Sequence, residues 1–141
     1  ASGRPGFVNL HTAGGRGNAM GAILNAKMAN APLVVTAGQQ DTRHGVTDPL
    51  LHGDLVALAR PSVKWAEEIH HPEHIPMLLR RAFQDCRTGP AGPVFLSLPI
   101  NVMEQHTDVT AGPPSRIKRG AVTGAIEELA AAYADDEALD A

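Results

Sequence analysis

His11 and the residues after it hold the densest chemistry in the sequence. The imidazole is followed by Ala13-Gly14-Gly15-Arg16-Gly17 and then Asn18. Imidazole is the side chain best suited to moving protons near neutral pH. Glycine lets backbone approach a ligand where a side chain would collide. Two familiar uses of such a stretch fail on spacing. A dinucleotide fingerprint needs glycine where Met20 stands, and a phosphate loop needs a Gly-Lys pair before the helix, whereas the first lysine is Lys27. Two readings stay open: a loop that meets another kind of ligand, and a tight strand-to-helix turn.

Other candidates are weaker. Gln39 and Gln40 follow Gly38 and either hydrogen-bond a ligand or partner, or belong to a solvated loop. His70, His71 and His74 have the types of metal ligands but no carboxylate or cysteine completes a set, so no metal site is expected and a solvated helix start is the reading. Cys86 falls on an apolar stripe and reads as a core residue rather than a nucleophile.

The elements that must position these groups follow from periodicity. Phe7 to Leu10 reads as a short strand, and from Asn18 onward Met20, Ile23, Leu24 and Met28 fall at helical spacing. Pro32 to Ala37 is a second strand, and a single helix between two strands implies a parallel pair. Asp48-Pro49 has the form of an N-cap and first helical residue, with Leu50, Leu51, Leu55, Val56 and Leu58 expected to be buried in one or two short helices. Ser62 to Ala66 is expected to be a strand with Val63 and Trp65 on one face. After Pro72, Ile75, Leu78, Leu79, Ala82, Phe83 and Cys86 form the apolar stripe of a helix. Pro93 to Pro99 is apolar nearly throughout, as a central parallel strand should be. Residues 107–120 read as a linker, and a last helix is expected over Ala121 to Ala134, fraying at Asp135 and Asp136.

The expected fold class is therefore α/β, an open parallel sheet with helices on both faces. Ligands of such sheets sit beyond the carboxyl ends of the strands. His11 with its glycines, Gly38-Gln39-Gln40 and Pro99-Ile100-Asn101 all fall there.

Composition narrows the classes further. At 141 residues the chain suits one globular domain, and a net charge of -3 supplies no basic field for nucleic acid. No apolar run is long enough for a membrane span, and the single cysteine excludes an internal disulfide and fits a cytoplasmic, reducing location. A start six residues before a buried-type strand, and an end just after a helix, lead us to expect a piece of a longer polypeptide.

The chain resembles the pyrimidine-binding domain of thiamine-diphosphate-dependent enzymes, and within them the benzoylformate-decarboxylating branch. The residues that carry the likeness are Phe7 to Gly14, Gly17 to Ala22, Leu33 to Gln40, Arg60 to Trp65 and Gly89 to Pro99, in family order. The resemblance implies that residues 1–106 form part of that domain, that 107–120 lead out of it, and that 121–141 begin the approach to another. It implies thiamine diphosphate and Mg²⁺ as cofactors, with the diphosphate and metal held by a domain absent from this chain and supplied in a homodimer or homotetramer. The glutamate that hydrogen-bonds the pyrimidine in this family would lie upstream of Ala1. His11 matches the histidine that faces the substrate and is the implied catalytic acid-base. Gly14, Gly15, Gly17, Asn18 and Gln39 match cofactor-side positions, and Arg16 departs from the small residue usual there. The implied reaction is non-oxidative decarboxylation of a 2-oxo acid to an aldehyde and CO₂. The alternatives are an acetolactate-synthase-like carboligase, in which a histidine at this position is unusual, and a non-catalytic binding or assembly fragment. The 141 residues alone are expected to be inactive, with an unpaired edge on the Phe7 strand.

Overall fold

The computed structural model describes residues 4–113. The chain forms strands β1 (Gly6–Leu10), β2 (Leu33–Gln39), β3 (Ala66–Glu68) and β4 (Pro93–Pro99). They pair only in parallel, in the order β1-β2-β4-β3. The helices are α1 (Thr12–Asn18), α2 (Met20–Met28), α3 (Leu55–Ala59), α4 (Ile75–Asp85) and α5 (Ile100–Met103).

The two central strands explain why the sheet is covered twice. Successive side chains of a strand point to opposite faces. Val35, Ala37 and Phe95 accordingly pack with Ile23 of α2 and with Leu55 and Ala59 of α3. Val34, Val94 and Leu96 pack on the other face with Ala82 and Cys86 from the α4 segment and Val102 of α5. Strands buried on both faces have no polar side to alternate with, so they are apolar throughout. The open parallel sheet with helices on both faces is as expected, and so is the α4 stripe. Burial pushes the pKa of the Cys86 thiol up, and its Sγ lies against the Phe83 carbonyl at 3.5 Å. In this sheet β1 is an edge strand.

Several local readings are corrected. The glycine stretch is not a loop: it is the body of α1, entered through Thr12 at φ 51°. Glycine is a poor helix former, but this helix is anchored by a side chain that packs inward. Arg16 is 0% exposed, with its guanidinium 5.5 Å from the Phe95 ring centroid and Nη2 donating to Ser62 Oγ and to the Ala59 carbonyl. Burial lowers its pKa, and its Nε and Nη1 have no partner among the described residues. Arg16 therefore does not point to solvent, and its contacts among the described residues include no carboxylate.

The same contact displaces the third strand. Ser62 turns inward to accept from Arg16 and to donate to Ala59, so Arg60–Ser62 is a 3₁₀ turn rather than the start of a strand. Sheet pairing begins at Lys64, whose N–H donates to Pro93 at 2.7 Å, and regular strand at Ala66. Val63 and Trp65 do not share a core: Val63 packs with α2 and α3, and Trp65 packs on the α4 side, where its Nε1 donates to Asp85 at 3.0 Å.

Asp48 is not an N-cap. It sits at φ 44° after a 3₁₀ turn, Gly45–Thr47, and the helix starts later, where Asp54 accepts from the Ala57 N–H at 2.8 Å. Leu55 is buried, but Leu50 is 85% exposed and Leu51 and Leu58 are also exposed. On α2 only Ile23 is buried; Met20 is half-buried, and Leu24 and Met28 of the expected stripe are exposed. Residues 104–113 are exposed and lie beyond the last element. Residues 114–120 of the expected linker, the expected last helix and its fraying end lie outside the described residues.

Candidate functional site

Three connections converge at the carboxyl edge of the sheet because the strands run parallel. β1 delivers His11 and Thr12, β2 delivers Gly38, Gln39 and Gln40, and β4 delivers Ile100 and Met103 of α5. They surround a pocket of about 360 Å³. Leu51, Leu98, Ile100 and Met103 form its apolar walls, and Asn9, His11, Thr12, Gln39 and Gln40 supply the polar groups.

Cross-links between these connections hold the pocket open. Asn101 bridges to the segment after β2 twice, accepting from the Thr42 N–H at 3.1 Å and donating to Thr42 Oγ1 at 2.9 Å. Gln39 donates from Nε2 to the Gly53 carbonyl at 2.6 Å and accepts the Gln40 N–H at 2.8 Å. Gln40 donates to the Leu50 carbonyl at 2.9 Å. These bonds fold the Leu50–Gly53 segment against the pocket. The approach is close at Gly53, where a Cβ would crowd the Ala13 Cβ of α1 at 3.0 Å. Just outside, Asp41 is 7% exposed and pairs with Arg43 through the guanidinium and the Arg43 N–H. That side-chain pairing holds the Asp41 carboxyl down to about 2.

The residues singled out from sequence divide into three groups. His11 lies at the pocket, exposed, with no hydrogen bond to its imidazole among the described residues. Gln39 also lines the pocket, with both ends of its amide engaged by backbone. Gly14, Gly15, Gly17 and Asn18 lie along α1 and are not part of the pocket lining; at Gly14 and Gly17 a Cβ would meet nothing within 4 Å. His71 and His74 stack edge to face, 5.2 Å between centroids, at the exposed start of α4.

Thr12, Asn9, Leu51, Leu98 and Met103 are not singled out from sequence as site residues, yet they line the pocket. Position beside His11 was the available signal for Thr12. Asn9 is a polar residue in an otherwise apolar strand; its Oδ1 accepts from Thr36 at 2.8 Å. Leu51 is placed by the neighbouring tethers at Leu50 and Gly53, which no local pattern announces.

A parallel α/β sheet with a largely apolar pocket and an accessible imidazole at its carboxyl edge defines a small-molecule-binding domain of the open-sheet class. Residues 1–58 match the family described as thiamine pyrophosphate enzyme, N-terminal TPP binding domain. The chain is 47% identical over 102 residues to a benzoylformate decarboxylase of Pseudomonas aeruginosa, covering 72% of this chain and 19% of that protein. It is 34% identical over 112 residues to the mitochondrial acetolactate synthase catalytic subunit of Aspergillus candidus, covering 79% and 15% respectively. Among solved structures it superposes on benzoylformate decarboxylase from Polynucleobacter necessarius with a TM-score of 0.72 and 38% identity, covering 83% of this chain and 22% of the other. The chain carries the fold of the N-terminal domain of the thiamine pyrophosphate enzymes and is similar to them in sequence. It spans about a fifth of the length of these relatives.

Proposed function

We propose that this domain forms the pyrimidine-side half of an active site in a longer, thiamine-diphosphate-dependent enzyme. The reaction assigned to the whole enzyme is decarboxylation of a benzoylformate-like 2-oxo acid to an aldehyde and CO₂. The carrying observation is His11, an accessible imidazole unengaged among the described residues, beside an apolar-walled pocket. The likeness to benzoylformate decarboxylase supports the same choice.

The residues present suit part of the cofactor. Apolar walls suit a flat heterocycle, and the buried Thr12 hydroxyl, without a partner among the described residues, offers an unmet hydrogen-bonding group. The lining contains no lysine or arginine, and the described residues hold no cluster of His, Cys, Asp and Glu fit for a metal. The diphosphate and Mg²⁺ are therefore assigned to a domain outside these residues, brought together with this one in a homodimer or homotetramer. When bound, thiamine diphosphate supplies the electron sink that makes loss of CO₂ possible.

The chain's own residues orient, shield and transfer protons. Leu51, Leu98, Ile100 and Met103 exclude water from the reacting carbon. His11 gives or takes the proton at the substrate's 2-oxo oxygen and at the carbon that becomes the aldehyde. Gln39 keeps the wall in place beside the cofactor. Gly14, Gly15, Gly17 and Asn18 would meet the cofactor from the flank of α1, outside the pocket lining itself, where Gly14 and Gly17 leave open space. The single free cysteine, Cys86, is compatible with the cytoplasmic location we assign.

The relation to acetolactate synthase supports a second reading, a carboligase of the same superfamily. Product analysis of the full-length protein with benzoylformate and with pyruvate separates the two. Benzaldehyde and CO₂ are expected from the first, and acetolactate from pyruvate would overturn the decarboxylase assignment. His11→Ala should lower kcat for benzoylformate by about 10²–10⁴-fold while leaving the fold intact; an unchanged kcat would remove His11 from catalysis.

A further inference from the structure

Thr12 combines three features that ordinary packing leaves unexplained. It is 7% exposed, its Oγ1 has no hydrogen-bond partner among the described residues, and it lines the pocket beside His11. Its backbone also lies in the left-handed region, at φ 51°. Burying an unpaired hydroxyl and placing a β-branched residue at positive φ both cost stability. Neither neighbouring glutamine is bonded to it: the Gln39 amide is engaged with Gly53 and Gln40, and the Gln40 amide nitrogen donates to Leu50.

We propose that Thr12 Oγ1 donates a hydrogen bond to the carboxylate of the bound 2-oxo acid, making Thr12 a substrate-binding residue adjacent to the acid-base. The inference rests on the pocket reading given above. A neutral hydroxyl suits the chemistry. The group it holds must shed its negative charge as it leaves as CO₂. A lysine or arginine there would stabilise the ionised ground state more than the transition state and so raise the barrier; the pocket lining has neither. A hydroxyl directs the carboxylate without locking in its charge.

The test uses the full-length, cofactor-loaded enzyme with Thr12→Val, which keeps shape and loses the hydroxyl, and Thr12→Ser, which keeps the hydroxyl. The probe is mandelate, a 2-hydroxy acid that presents the same carboxylate and ring without the reactive carbonyl. Calorimetry should give Thr12→Val a Kd about tenfold weaker than wild type, with KM for benzoylformate raised in parallel. Thr12→Ser should stay within about twofold of wild type, since its hydroxyl can make the same bond. In the absence of ligand, Thr12→Val should melt at or above the wild-type temperature, because an unpaired buried hydroxyl has been removed. Wild-type affinity in Thr12→Val would overturn the Thr12 assignment alone. A wild-type enzyme that neither binds mandelate nor turns over benzoylformate would overturn the functional reading and this inference together.

Discussion

The Gln39 side chain donates to the Gly53 carbonyl at 2.6 Å, joining the carboxyl end of β2 to the segment that enters α3. Because its oxygen also accepts the Gln40 N–H, this one amide closes the pocket wall from two sides. The glutamine that sequence places beside a ligand is thus also a brace: it holds the wall that Leu51 completes.

Replacing that brace should loosen the wall. Gln39 is 8% exposed, so Gln39→Leu leaves a carbonyl short of its partner in a largely buried setting and should cost about 1–3 kcal/mol of stability. Gln40→Leu removes a more exposed bond and should cost less than about 1 kcal/mol. Urea unfolding of both variants checks the order, and equal effects would count against a bracing role for Gln39.

Arg16 makes the opposite prediction about a buried polar group. It is fully enclosed against Phe95, with hydroxyl and carbonyl acceptors and no carboxylate in its contacts. A buried charge held this way contributes little net stability, because desolvation offsets its contacts. Arg16→Met fills similar volume and leaves Ser62 bonded to the Ala59 carbonyl at 3.1 Å. It should be neutral or stabilising by about 1–4 kcal/mol. Arg16→Ala leaves a cavity and should lose about 2–5 kcal/mol. Thermal melts of the two variants distinguish a filler of space from an indispensable charge.

Asp41 sets an acid limit. Its carboxyl is held well below the usual carboxylate range, at about 2, first through the side-chain hydrogen bond from Arg43 and further through the Arg43 N–H and charge. A depressed carboxyl pKa stabilises the fold above the unfolded pKa, and that contribution is lost as pH falls through the folded one. The contribution should therefore be complete above about pH 4 and vanish toward about pH 2. Asp41→Asn should be less stable than wild type at neutral pH, with the difference closing across that window. Stability curves that stay parallel down to pH 2 would contradict the assignment.

The sheet and the location of its pocket were legible in the sequence because their signals are local and repeated. Val34-Val35 and Val94-Phe95-Leu96 are apolar on consecutive residues, as strands covered on both faces must be. A helix between successive strands forces them parallel, and parallel strands bring His11, Gly38-Gln39-Gln40 and Ile100 to one edge. Local signals misled where a distant contact decides: Asp48 before Pro49 reads as an N-cap, but the helix starts after Asp54, ahead of Leu55, which packs with Ala59 into the core.

What the tertiary structure alone decided lies in contacts between residues far apart in the chain. Arg16 meets Ser62 across 46 positions, beside a helix that runs through three glycines and a third strand that begins only at Ala66. Gln39 meets Gly53 only after the chain has turned back over the pocket. The physical reason is the range of the forces. Periodicity records which face of an element is buried, whereas a single long polar side chain finds its partner only once packing has brought the two elements together. Thr12 belongs to this second class: a threonine after a histidine carries no signal in sequence, and only folding buries its hydroxyl without a partner among the described residues and brings the residue into the pocket lining.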